Sequence, residues 1–319
     1  MRLRMFLLIA IVILVFGICL LGAPRPINPL SISDTEKGIL FSIRLPRVVV
    51  ALLMGIGLGA SGAVLQGLLR NPLADPYILG LSSGATLSAG GVIILGITFL
   101  GPFTIPVSAF IGAMTTGLLV GVMGWRRGGL WPERLLLAGI GVGFLLGAVL
   151  MLLMSITTAE GMRRAVLWLF GDLSIADWSL IPYGLVFILI GLFIAMKRAR
   201  ALNSLMLGDD MAVSLGFSPR KETTLLFISV GLMTASSVSL GGMVGFVGLL
   251  MPHIMRFFIG SDSRVLIPAS ALSGGVLLMA GDTLGKTIIQ PIELPAGIIT
   301  SVLGAPYFLY LLRRRDVIR

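Results

Sequence analysis

Apolar residues run along this chain in near-continuous blocks, separated by short polar intervals. The blocks lack the strict alternation of half-buried strands. Ten of them approach the ~20 residues that carry a helix across a bilayer. They lie near 5–22, 47–67, 80–99, 105–124, 135–156, 178–197, 222–241, 244–259, 267–287 and 296–312. Only LGGMVG (240–245) separates the seventh from the eighth, so that boundary is the weakest. The pattern predicts an all-α, polytopic membrane protein with about ten transmembrane helices, forming a single domain over 1–319. The first block follows MRLR and could be a signal peptide, or a lipoprotein signal ending at Cys19. The bulky Ile18 fits the second poorly, and with nine blocks following, the first is read as a retained helix.

Composition supports the same class. Hydrophobic residues make up 56% and charged residues 12%, with a mean hydropathy of +1.04, whereas soluble domains are about a quarter charged. A net charge of +10 in a soluble protein would suggest nucleic acid. Here the positions of the charges matter more, because cytoplasmic loops collect Lys and Arg. With the N-terminus inside, 17 of the 24 Lys and Arg fall on the inner side, among them Arg4, Arg70, Arg127, Arg198, Arg256 and the Arg313–Arg315 run. The outer side holds Arg25, Lys37, Arg44, Arg47, Arg163, Arg164 and Lys286. The bias predicts both termini in the cytoplasm and no nucleic-acid partner. A single cysteine, Cys19, forms no intrachain disulfide, and a single histidine, His253, excludes His-rich metal clusters.

Chemistry-bearing motifs are sparse. AGDTLGKT (280–287) fits a relaxed phosphate-loop pattern, but it lies inside an apolar block without the strand–loop–helix context that such a loop needs. Asp209 and Asp210 are adjacent carboxylates in LMLGDDMAVSLGF (205–217). An intramembrane enzyme using such a pair needs further carboxylates a turn away, and none follows before Glu222. Asp282 and Lys286 are four apart and can pair across one helical turn. Few ionisable groups lie inside the blocks, which argues against an ion-coupled secondary transporter, the alternative reading. GIGLGASG (55–62) and GIGVGFLLG (139–147) carry small-residue spacing that lets helices approach closely. SLGGMVGFVGLLMPH (239–253) echoes GLGASGAVLQGLLRNP (57–72), a short and weak sign of an inverted internal repeat.

Five stretches, in order and at sensible spacing, resemble the permeases of ATP-binding-cassette importers for iron-siderophores, haem and vitamin B12. They are RLPRVVVALLMGIGLGASGAVLQGLLRNPLADPYILGLSSGA (44–85), RLLLAGIGVG (134–143), LGDDMAVSLGF (207–217), GFVGLLMPHIMR (245–256) and ELPAGIITSVLGAPYFLYLLRR (293–314). The resemblance covers nearly the whole chain. It implies a permease working by alternating access, embedded in lipid as a multi-pass protein of the cytoplasmic membrane. It implies a homodimer, two cytoplasmic ATPase subunits and an extracytoplasmic substrate-binding protein. ATP and Mg would be bound by the ATPase, leaving this chain with no cofactor and no catalytic residues. Iron-siderophore leads as cargo, with haem and vitamin B12 as alternatives.

The resemblance also implies site residues. Arg44, Arg47 and Lys286 would receive carboxylates of the binding protein. Asn71 and Leu73, in the NPLADP turn, would help close a cytoplasmic gate. Residues 204–217 would form the segment coupling the permease to the ATPase. In that segment Asp209 and Asp210 follow Gly208 and suit a helix start, Gly216 suits its end, and Met211 and Leu215 share a face.

Overall fold

The computed structural model describes residues 2–22, 26–27, 32–126 and 129–313. Arg25, Arg127, Arg314, Arg315 and Arg319, counted in the charge bias, lie outside them. The first long helix is α1 (Arg2–Leu21). A short helix, α2 (Asp34–Ile39), runs through one π-helical turn into α3 (Leu45–Leu68). Then come α4 (Leu81–Ile94), α5 (Thr104–Gly124), α6 (Pro132–Ser155) and α7 (Ala159–Leu169). Next are α8 (Leu180–Lys197), α9 (Ala199–Met206), α10 (Asp209–Ser214) and α11 (Pro219–Gly241). The last are α12 (Val247–Ile259), α13 (Ser263–Thr287) and α14 (Ala296–Arg313). Two two-residue strands, Trp125–Arg126 and Gly129–Leu130, pair antiparallel between α5 and α6, a small addition to the all-α expectation.

Among the described residues, seven helices are long and apolar enough to cross a membrane, and three shorter apolar helices, α4, α12 and residues 296–310 of α14, accompany them. These ten coincide with the ten apolar blocks. Two of the blocks differ from expectation in form. At ~1.5 Å per residue, the 14 residues of α4 and the 13 of α12 fall well short of a ~30 Å hydrocarbon core. Each is preceded by non-helical backbone. Before α4, a 3-10 turn, Pro76–Leu79, leads to Gly80 at φ 72°. Before α12, the chain passes Gly242 at φ 84° and Phe246 at φ 67°. The LGGMVG boundary is therefore a real break. The two irregular stretches meet: the Val244 amide donates to the Tyr77 hydroxyl oxygen at 3.0 Å.

α3 is the central helix, buried along nearly its whole length, and it packs on α13, α11 and α12. α1, α6 and α8 are peripheral and expose large apolar side chains such as Phe6, Phe144 and Phe193, as lipid-facing helices do. The α3–α13 contact depends on small residues. A Cβ on Gly59 would lie 2.0 Å from the Ser270 carbonyl oxygen, and one on Gly55 would lie 2.3 Å from that of Gly274. Two buried hydroxyls on α11 are satisfied locally: Ser229 donates to the Leu226 carbonyl and Ser237 to that of Met233. This removes the penalty of polar groups in a helix surrounded by apolar matter. Ser236 instead donates across to the Gly184 carbonyl of α8 at 3.1 Å. The AGDTLGKT stretch is continuous helix within α13, so its backbone N–H groups cannot cradle a phosphate.

Gly59→Val should force α3 and α13 apart, lowering stability by about 1–3 kcal/mol, the usual cost of overpacking. Thermal melting of the solubilised protein checks it; an unchanged melting temperature would refute the close-contact account.

Candidate functional site

The basic end of the bundle carries the segment 204–217. α9 is amphipathic, burying Ala199, Ala201, Leu202 and Leu205 against the bundle. Gly208, at φ 127°, makes the turn into α10. Gly216, at φ 84°, ends the segment, with the Phe217 amide donating to the Ala212 carbonyl at 2.9 Å. Of α10 only Ala212 is fully buried; Leu207, Met211, Val213 and Leu215 are exposed. Met211 and Leu215, four apart, share one exposed face of the segment. Asp209 and Asp210 occupy the first turn, but no side chain caps it. Asp209 instead pairs with Arg70. Among the described residues, no three His, Cys, Asp or Glu side chains cluster.

The segment is braced on three sides. Arg198, between α8 and α9, pairs with the buried Glu222 of α11 at 3.2 Å and closes the base of the loop. Asn203 of α9 donates to Asp262 at 2.9 Å and accepts from the Ser263 amide at 2.9 Å, which ties it to the turn between α12 and α13. Arg264 beside Asp262 holds that carboxyl well below the usual carboxylate range. Its depressed folded-state pKa contributes stability above the ordinary carboxylate pKa, lost only as pH falls through the folded value. The third brace is Arg70, which donates to the Leu205 carbonyl at 2.8 Å as well as to Asp209.

Arg70 ends α3. Its amide donates to the Gly67 carbonyl, and the Asn71 amide to that of Gln66 at 3.0 Å. That is the helix-ending motif in which glycine usually takes the left-handed position. Here Arg70 takes it, at φ 50°, at a cost of about 1–2 kcal/mol for a side-chain-bearing residue. The next residues are the expected gate. The Asn71 side-chain oxygen accepts from the Leu73 amide at 2.9 Å, closing a tight turn, and Leu73 is 36% exposed. Asp75 then caps the 3-10 turn by accepting from the Tyr77 amide at 2.8 Å. Sequence reasoning placed Arg70 only in the charge tally. Its position before NPLADP was visible, but its reach to α9 and α10 was not.

At the opposite end, Arg44, Arg47 and Lys286 were expected to offer charge to a partner. All three are buried, at 9%, 9% and 7% exposure. Arg47 grips Asp282 with bonds of 2.9–3.1 Å and holds Glu293 at 2.6 Å. Lys286 pairs with Asp282 at 2.7 Å, the one-turn pairing that the spacing suggested. Arg44 donates to the Leu20 carbonyl at 3.3 Å. In this conformation the charges of Arg47 and Lys286 are spent inside the protein, tying α3 to α13. Burial of their counter-charges is the physical reason, and Glu293, half exposed, is the part of the network that faces outward.

Residues 5–314 match the FecCD transport family. The chain belongs to that family. It is 40% identical over 324 residues to the hemin transport system permease protein HmuU of Yersinia pestis, covering 97% of this chain and 95% of that one. It is 40% identical over 288 residues to the cobalamin import system permease protein BtuC of Halobacterium salinarum, covering 90% and 76%. It superimposes with a TM-score of 0.89 on a structure described as an inward-facing conformation of a metal-chelate type ABC transporter, at 28% identity, covering 98% and 100%. The expected membrane permease of this family, a multi-pass protein of the cytoplasmic membrane, is thereby established.

Asp282→Asn would leave Arg47 and Lys286 adjacent, buried and short of counter-charge. Breaking such a pair costs about 3–5 kcal/mol, so the melting temperature should drop sharply, whereas Lys37→Gln, on an exposed pair with Asp34, should leave it within error.

Proposed function

We propose that this chain is the permease subunit of an ATP-driven importer of a metal chelate, working by alternating access. Two copies line the pathway, cytoplasmic ATPase subunits bind at the basic end, and a substrate-binding protein docks at the opposite end. The cargo class is iron-siderophore, haem or cobalamin. Relatives named for hemin, iron(3+)-hydroxamate and cobalamin transport support that class. Both termini lie in the cytoplasm, on the charge bias.

The observation that carries the reading is α10, held out from the braced helix α9 with Met211 and Leu215 exposed on one of its faces. An exposed apolar face carrying Met211 and Leu215 beyond the lipid is suited to a groove in another protein. ATP-driven closure of the ATPase dimer would push on α10 and rearrange the basic end, opening or closing the turn at Asn71 and Leu73. At the opposite end, carboxylates of the binding protein would compete with Glu293 for Arg47, with Arg44 and Lys286 adding positive field. Charge of that kind speeds and orients encounter more than it adds affinity.

Reconstitution in vesicles with the partner ATPase and binding protein tests the reading. Uptake of a metal chelate should require ATP and both partners; uptake with no ATPase present would overturn it in favour of an ion-coupled carrier. Met211→Glu and Leu215→Glu should each weaken ATPase attachment at least ~10-fold, as loss of a central interface contact does, with the permease still folded. Co-purification reads the first and melting the second.

A further inference from the structure

We infer that Arg70 is the positioning residue that links the ATPase-coupling segment to the cytoplasmic gate turn. This rests on the reading of 204–217 as the coupling segment, and it names the path by which that segment acts. Three observations meet at one residue. Arg70 contacts both helices of the segment, through the Leu205 carbonyl of α9 and the Asp209 carboxylate of α10. Its backbone is covalently next to Asn71, whose side chain shapes the turn that carries Leu73. Its own φ of 50° is the left-handed conformation that glycine adopts without strain. A glycine at 70 would end α3 at least as well. An arginine there is explained by what the side chain does.

The geometry favours a link over a staple. The Arg70 and Asp209 side chains are 46% and 65% exposed, and such pairs add little to stability. What the contact fixes is position. Movement of α10 must either carry Arg70 with it or break the ion pair. Because Arg70 ends α3 in a single left-handed residue, a displacement of its side chain is delivered to the Asn71 peptide. The bidentate reach also explains arginine over lysine: one guanidinium serves a carbonyl and a carboxylate at once, which an ammonium on a flexible stem does poorly.

The test uses the full permease–ATPase complex in vesicles and the variants Arg70→Gly, Arg70→Lys and Asp209→Asn. Arg70→Gly relieves the left-handed residue, so its melting temperature should be equal or higher, and ATPase co-purification should persist. Cargo moved per ATP hydrolysed should fall by roughly 2- to 30-fold, the range over which residues on a coupling path act. A Leu73→Cys reporter, labelled from the cytoplasmic side, should lose its nucleotide-dependent change in reactivity. Arg70→Lys should restore part of both, and Asp209→Asn should reproduce part of the loss. A wild-type cargo-to-ATP ratio and reporter response in Arg70→Gly would overturn the inference. So would loss of ATPase attachment in that variant, because Arg70 would then shape the docking face. Failure of the underlying reading looks different: the ATPase would stay attached to the Met211→Glu and Leu215→Glu proteins, with Arg70 intact.

Discussion

A backbone N–H or carbonyl facing hydrocarbon without a partner costs several kcal/mol, and this constraint governs the fold. The α-helix is broken immediately before the short α4, over 69–80, and before the short α12, over 242–246. Neither stretch could stand against lipid. The backbone next to α4 and α12 is buried, at Leu79, Gly80 and Val244, and the two stretches satisfy each other, the Tyr77 hydroxyl accepting from the Val244 amide; Arg70 and Leu73, at the far end of the first stretch, are exposed at the basic end. Gln66 extends this seam, donating to the Leu249 carbonyl at 3.1 Å and accepting from Arg256 at 3.1 Å. The close passage of α3 past α12, with Gly62 against the Gly248 backbone, leaves no room for lipid between them. Irregular backbone in a membrane protein belongs where it is buried in protein or lines a cavity, and one of these stretches includes the expected gate.

Much of this was legible in the sequence. Block lengths gave the ten apolar helices, because the bilayer imposes a length that soluble folds do not. The GIGLGASG spacing announced a close helix contact, and Gly55 and Gly59 make it with α13. Local chemistry was legible too: Gly208 and Gly216 bracket α10 with the positive φ values that glycine accommodates. The shortness of α4 and α12 was not legible, since Leu95, Ile97 and Phe99 after α4 and Val244 and Phe246 before α12 are apolar without being α-helical, and hydropathy alone reads them as more helix. The amphipathic α7 was missed for a related reason: its alternation of Arg163, Arg164 and apolar residues is a surface signal hidden between two long blocks.

Long-range pairing was the least legible. Arg47 lies 235 positions from Asp282, and Arg70 lies 139 from Asp209. Sequence spacing reports contacts within a helix, such as Asp282 with Lys286, but is silent on which helices pack. For the same reason Arg47 read as an outer charge without an internal partner, when the fold gives it buried Asp282. Asp209 starts α10 as its position suggested, and the fold adds a guanidinium partner that spacing did not show.

The two ends of the bundle use charge in opposite ways, and the difference follows from burial. Around Asp282, two cations share a nearly inaccessible carboxylate, and Glu293 completes a neutral cluster. Separating those charges in a low dielectric is costly, so that end holds α3 and α13 in one arrangement. Around Asp209 the pair is open to water, where making or breaking it changes the free energy by only ~0–1 kcal/mol. A contact of that kind cannot hold a fold together, but it can be exchanged during a transport cycle without a large barrier. α3 thus runs from a rigid anchor at Arg47 to a yielding contact at Arg70. A force applied at the basic end meets little resistance there, while the far end of the same helix stays fixed.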